Sequence, residues 1–165
     1  MQSTSLNDRW REWASGSKCP LCAPRAASSD DWELICTLST SSLYLSRNQT
    51  YRGHGILVLD LRHATRADQL NTQEWQAFCG DLHVAQHAIE ATVHPDHMNI
   101  ASLGNVVPHL HWHIIPRYEG DPRWGDPIWP TDLATMPNVR LPDAEFADLL
   151  KEIRTCTERT PSPSR

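Results

Sequence analysis

The sequence predicts an α+β fold, an antiparallel sheet with helices packed on it. Three observations predict it. The run Pro108-His109-Leu110-His111-Trp112-His113-Ile114-Ile115-Pro116-Arg117 alternates histidine with large apolar residues. As a strand it sends His109, His111 and His113 to one face and Leu110, Trp112 and Ile114 to the other. Roughly residues 72–93 carry apolar side chains at three-four spacing, the mark of one long amphipathic helix. The other apolar runs are short, and their connections are too brief for the crossovers that parallel strands need.

In chain order, residues 1–17 are polar, with Leu6, Trp10 and Trp13 at helical spacing. They predict a short helix over one edge of the domain, its tryptophans serving as core or interface anchors. Cys19-Pro20-Leu21-Cys22 lies between Gly16-Ser17 and Ala23-Pro24-Arg25 and reads as a tight knuckle. Cysteines so spaced close on one tetrahedral ion or form a redox pair. A redox motif follows a strand and opens a helix, which these flanks do not provide. The metal reading requires two further ligands.

After a small polar loop at 25–31, Trp32 to Leu38 and Leu43 to Leu45 read as strands around Ser39-Thr40-Ser41-Ser42. Arg47-Asn48-Gln49-Thr50 is a turn. Gly53-His54-Gly55 leads into Ile56-Leu57-Val58-Leu59, short enough for a buried strand, which ends in Asp60-Leu61-Arg62-His63. Asn71 and Glu74 form a capping box for the long helix. Its apolar stripe runs Trp75, Phe78, Cys79, Leu82, Gln86, Ile89, Val93, and Pro95 stops it. Asp81, His83 and His87 read as surface polar groups on it. His97 to Ala101 is a strand, Gly104-Asn105 a turn, and the histidine strand completes a hairpin. Residues 117–142 hold prolines, Trp124 and Trp129 without a period, an arm that can wrap the site or a partner subunit. Leu141-Pro142-Asp143 starts a last helix carrying Phe146, Leu149, Leu150 and Ile153. The reading is a single domain over 1–158 and a disordered tail over 159–165.

Composition narrows the function classes. At 165 residues, 39% apolar and 21% charged, the chain is long enough to bury its own core. No apolar run reaches the length of a membrane span. The first residues lack the basic-then-apolar pattern of a signal peptide, so a cytoplasmic location is expected. A net charge of −5 without a basic run argues against a nucleic-acid binder. Five cysteines point to free or metal-bound thiols rather than a disulfide framework.

A histidine run that is internal and strictly alternating is no affinity tag. Its imidazoles, about 6.5–7 Å apart along one face, suit a metal site in which all three ligate. They equally suit nucleophilic or acid–base work, one imidazole attacking while its neighbours orient it and handle charge.

The run resembles the signature of the histidine-triad (HIT) family, His-x-His-x-His and two apolar residues, with Pro116-Arg117 following. Gly53-His54 and Arg62-His63 match positions that open and close the preceding family strand. The likeness covers about residues 19–117 and implies an antiparallel α+β fold and a homodimer. It implies a nucleotide hydrolase or nucleotidyl transferase in which His111 attacks an α-phosphorus and forms a nucleotidyl-histidine. Dinucleoside polyphosphates, nucleoside phosphoramidates and nucleotide sugars are all substrate classes of such chemistry. His113 would neutralise charge on a non-bridging or leaving oxygen. Asn99 matches a family asparagine that contacts phosphate, and Gly104-Asn105 falls where many members have Gly-Gln. Asn48 would meet the ribose or serve the turn. Val106 departs from the Ser or Thr of many members, which would remove a hydroxyl contact. The loop between Asn99 and Gly104 is also shorter than in many. Some branches carry zinc on Cys-x-x-Cys and two histidines. Mapped here, the set is Cys19, Cys22, His63 and His109, closed and hence structural. Two other readings stand beside this one: a metalloenzyme with all three histidines on zinc, and a non-catalytic, zinc-stabilised nucleotide-binding module.

Overall fold

A computed structural model describes residues 5–22 and 24–160. Five antiparallel strands form one sheet: β1 (Trp32–Thr37), β2 (Ser41–Ser46), β3 (Gly55–Leu59), β4 (His97–Ala101) and β5 (His111–Arg117), in the order β1-β2-β3-β5-β4. The helices are α1 (Leu6–Ala14), α2 (Thr72–Val93) and α3 (Asp143–Arg159). The expected α+β antiparallel architecture is therefore observed. Among the described residues no helix is long and apolar enough to cross a membrane.

Alternation along the strands separates two faces. Leu43, Leu45, Leu57, Leu59 and Ile114 pack with Phe78 and Ile89 of α2 and Phe146, Leu149 and Ile153 of α3. Tyr44 and Val58 point to the other face, where they meet Cys19 and Leu21 of the knuckle. Ile115 is covered on that face by Tyr51 and Ile128. The histidines of β5 thus lie on the side away from α2.

The capping box forms as read. Asn71 Oδ1 accepts from Glu74 N at 2.9 Å, and Glu74 Oε2 accepts from Asn71 N at 2.9 Å. The buried face of α2 is turned slightly from the predicted stripe and consists of Phe78, Asp81, Val84, Ala85, Ala88 and Ile89. Asp81 is therefore not a surface group. Its carboxylate accepts from Ser39 N and Oγ, Thr40 N and Oγ1 and Ser41 Oγ. The β1–β2 turn brings otherwise unmet donors against the helix, and a buried carboxylate satisfies them together. His83 and His87 are exposed, as read, and stack on each other.

Two further boundaries differ from expectation. His109 and Leu110 precede β5, because the β3 ladder ends at Val58–His111 and the Leu110 N–H donates instead to Ala64 O. At the other end, α3 continues to Arg159 with Thr160 as its cap. The rest of the expected tail, 161–165, lies outside the described residues. The arm after β5 is irregular apart from a short 3₁₀ turn at Leu133–Thr135.

Candidate active site

Gly53-His54-Gly55 delivers a histidine to the edge of the site. Gly53 has φ +86°, in the left-handed region, and a Cβ on Gly55 would lie 2.6 Å from Ile89 Cδ1. His54 enters between them, buried, and its Nε2 lies 3.1 Å from His113 Nδ1. The His113 ring meets His111 edge-on at 5.1 Å and Trp129 edge-on at 5.1 Å. His54, His113 and His111 thus form a continuous row, with Trp129 of the arm packed against its middle member.

Burial pushes all three imidazoles toward the neutral form. His54 is lowered to about 4 by burial. His113 is lowered to about 3 by burial, with His54 and His111 adding to it. Burial lowers His111 as well, against the opposing hydrogen bond to His109. His113, like His54, is therefore held in the neutral form near neutral pH.

His111 Nδ1 lies 2.6 Å from the His109 carbonyl oxygen. A carbonyl only accepts, so the proton is on Nδ1 and Nε2 carries the lone pair. A neutral imidazole so oriented is a nucleophile at Nε2. A proton donated by His54 to His113 Nδ1 leaves the single proton of His113 on its own Nε2, a donor beside that nucleophile.

The His109 ring leaves this row. Its Nε2–H donates to Leu59 O at 2.8 Å, which frees Nδ1. That nitrogen lies 3.5 Å from Cys19 Sγ and 3.3 Å from Cys22 Sγ. His63 repeats the arrangement, Nε2–H to Ala14 O at 3.1 Å and Nδ1 3.1 Å from Cys22 Sγ. The four ligand atoms lie within 4.8 Å of one another. A tetrahedral site with metal–nitrogen near 2.05 Å and metal–sulfur near 2.3 Å has a nitrogen–sulfur edge of about 3.5 Å. The donor set and its spacing fit such an ion, and both histidines have their second nitrogen held by a carbonyl. His109 thus faces the cysteines, and the four residues inferred from the family likeness converge.

The three asparagines differ in what they contact. Asn99 sits on β4 opposite Ile115, and its Oδ1 accepts from Arg117 Nη1 at 2.7 Å. It lines an open cleft of about 910 Å³ with Ile115, Trp124 and Trp129. Asn48 spends its carboxamide on the loops: Oδ1 accepts from Thr50 N and Val139 N, and Nδ2 donates to Pro137 O. Asn105 is exposed in the loop before the histidines. Among the described residues no hydrogen bond joins Asn48 or Asn105 to the histidine row.

A family model for the HIT domain matches residues 30–120. The chain belongs to the HIT family. Solved HIT structures share the fold. One from Bradyrhizobium japonicum is 26% identical with a TM-score of 0.70, covering 77% of this chain and 91% of its own. Another from Marinobacter aquaeolei is 25% identical with a TM-score of 0.69, covering 79% and 92%. A zinc-bound HIT protein of Mycobacterium smegmatis is 19% identical with a TM-score of 0.51, covering 88% and 89%. No curated protein matches the chain in sequence.

Two residues in or beside the histidine row of this HIT protein carry little local signal in the sequence. In the sequence His54 is marked only as the residue opening a strand. Its signal was the glycine on either side, a pattern that sets one side chain into a crowded place. In the sequence Arg117 is only a trailing residue. Asp121 four positions on was its visible partner, but Asn99 lies eighteen positions back and gives no local sign.

Proposed function

We propose that the protein is a nucleotide hydrolase or nucleotidyl transferase acting at an α-phosphate, with chemistry like that of dinucleoside polyphosphate hydrolases. The observation that carries this is the His111 imidazole, neutral and held at Nδ1 by the His109 carbonyl. His111 Nε2 forms a bond to phosphorus as the bond to the leaving oxygen or nitrogen breaks. His113 donates a hydrogen bond to an oxygen that gains charge. Water or another acceptor then cleaves the nucleotidyl–nitrogen bond and restores the free imidazole. The protein's contribution is alignment and charge stabilisation, which is what phosphoryl transfer asks of it.

Cys19, Cys22, His63 and His109 would hold a zinc ion. The donor set and its carbonyl-held histidines support this, as does the zinc described for the mycobacterial relative. A closed Cys₂His₂ set leaves no position for a reacting water, so the ion would be structural. It would secure the knuckle to the β3 and β5 ends. A homodimer belongs to the same reading. β4 is one of the two edge strands of the sheet and offers a row of backbone groups to a second copy. A cytoplasmic location is part of the same proposal.

The deciding experiment is intact mass after brief exposure to an adenosine dinucleotide or AMP phosphoramidate, with His111→Gly alongside. A nucleotidyl adduct on the native chain alone, with product release, is expected. No adduct and no turnover with any nucleotide would leave the zinc-stabilised binding module as the better reading.

A further inference from the structure

Arg117 is a buried guanidinium whose donors are fully used. Nε and Nη2 form a two-point pair with Asp121 at 2.6 and 3.0 Å, both side chains under 5% exposed. Nη2 also donates to Arg123 O at 2.5 Å, and Nη1 donates to Asp126 O at 3.0 Å. The fifth N–H goes to Asn99 at 2.7 Å. Four donors therefore hold the arm, and the last reaches a side chain on the neighbouring strand.

A guanidinium only donates, so the Asn99 atom facing it is the oxygen. Its Nδ2 then points elsewhere, and among the described residues Nδ2 has no hydrogen-bond partner. Asn99 lines the cleft. On β4 it lies two residues from Ala101, which pairs with His113, so Asn99 and His113 share a sheet face. An amide with its oxygen occupied and its two N–H groups open is a neutral donor for an anion.

We infer that Arg117 is a positioning residue for Asn99, holding its oxygen away so that its N–H groups meet a phosphate oxygen of the nucleotide. This rests on the nucleotide reading given above. The Asp121 pair locks the guanidinium, and the guanidinium sets the amide. Without it either end of the carboxamide could face the cleft, and the oxygen would repel an anion.

The test measures AMP binding by calorimetry, beside thermal unfolding, on the native chain and four variants. Asn99→Asp keeps an acceptor for Arg117 Nη1 but replaces the two donors with a second acceptor. It is expected to fold with native stability and to lose AMP affinity by tenfold or more, about the value of a hydrogen bond to a charged group. Arg117→Lys is expected to weaken AMP binding about tenfold, since one ammonium cannot serve Asp121, Asn99 and two carbonyls. In an Asn99→Ala background the same Arg117 change should alter AMP affinity less than twofold while its cost in thermal stability persists. Asn99→Asp binding AMP as the native chain does overturns the proposal, as does an undiminished Arg117→Lys effect beside Asn99→Ala. AMP binding without any His111 adduct from an adenosine dinucleotide or AMP phosphoramidate refutes the transfer reaction alone. A native chain that binds no AMP refutes both.

Discussion

Replacing His54 with phenylalanine removes a hydrogen-bond partner while keeping a planar ring of similar size. His54 Nε2 is 3.1 Å from His113 Nδ1, and His54 is 7% exposed, so no bulk water stands ready to replace it. Leaving a buried polar atom unmet costs about 1–3 kcal/mol. Part of that cost appears as lost stability. The rest appears in the chemistry, because a proton donated by His54 to His113 Nδ1 would keep the single proton of His113 on Nε2. A loss of about 1.4 kcal/mol there corresponds to a tenfold slower nucleotidylation of His111. The assay is single-turnover adduct formation by quench and intact mass, with thermal unfolding of the same samples. His54→Gln keeps an N–H donor in place and is expected to recover most of the rate. A His54→Phe rate within twofold of native refutes the assignment, and so does a His54→Gln rate no better than that of His54→Phe.

His111→Ala is expected to abolish turnover while leaving metal content and fold unchanged, read by zinc analysis and circular dichroism. Full activity in that variant refutes the nucleophile. Cys22→Ala should lower Tm by about 5 °C or more, roughly 2 kcal/mol for a chain of this size. It should release zinc while slowing chemistry per folded molecule far less, and unchanged Tm and zinc would remove the structural-metal reading. The folded pKa values of His54 and His113, about 4 and about 3, lie below the ordinary 6.5. The unfolded chain therefore takes up protons first as pH falls, and stability present above about pH 6.5 is lost progressively down to about pH 3. The urea midpoint should be lower at pH 5 than at pH 7.5, and equal midpoints would contradict the buried neutral pair. Asp81→Ala strands the Ser39 and Thr40 N–H groups and is expected to destabilise by about 3 kcal/mol or more in urea unfolding. A cost under 1 kcal/mol would show that water or hydroxyl rearrangement replaces the carboxylate.

The features legible in the sequence are those that repeat or terminate locally. The alternation in His111-Trp112-His113-Ile114 sets which face of β5 carries the imidazoles, whatever the neighbouring strands are. Asn71, Glu74 and Pro95 bracket α2 because a cap and a stop act within a few residues. The start of β5 was not legible, because it depends on where the β3 ladder ends, at Val58. Asp81 looked like a surface carboxylate because its donors come from residues 39–41, about forty positions away. The sequence leaves Asn48 between a ribose contact and a turn role, and the structure shows its side chain engaged with Thr50, Pro137 and Val139. Contacts with 137–139 depend on the path of an arm without periodicity, and no local pattern encodes that path.

His109 shows why alternate histidines need not share one task. Its ring is turned to the cysteines through Nδ1 and held by Leu59 through Nε2. Its backbone carbonyl, on the same residue, accepts the Nδ1 proton of His111. The cluster and His111 are therefore joined by the shortest route a chain provides, through a single residue. An ion that fixes the His109 ring also limits the motion of that carbonyl, and the carbonyl fixes the tautomer and the direction of the His111 lone pair. In-line attack tolerates little angular error. Metal removal should therefore slow adduct formation through orientation, without changing the identity of the nucleophile, and His113 with His54 should remain able to donate. A slower reaction that still labels His111 after chelation is the outcome this linkage requires. Labelling at an unchanged rate in a chain shown to be metal-free would mean that the Leu59 and Val58 contacts alone hold the strand.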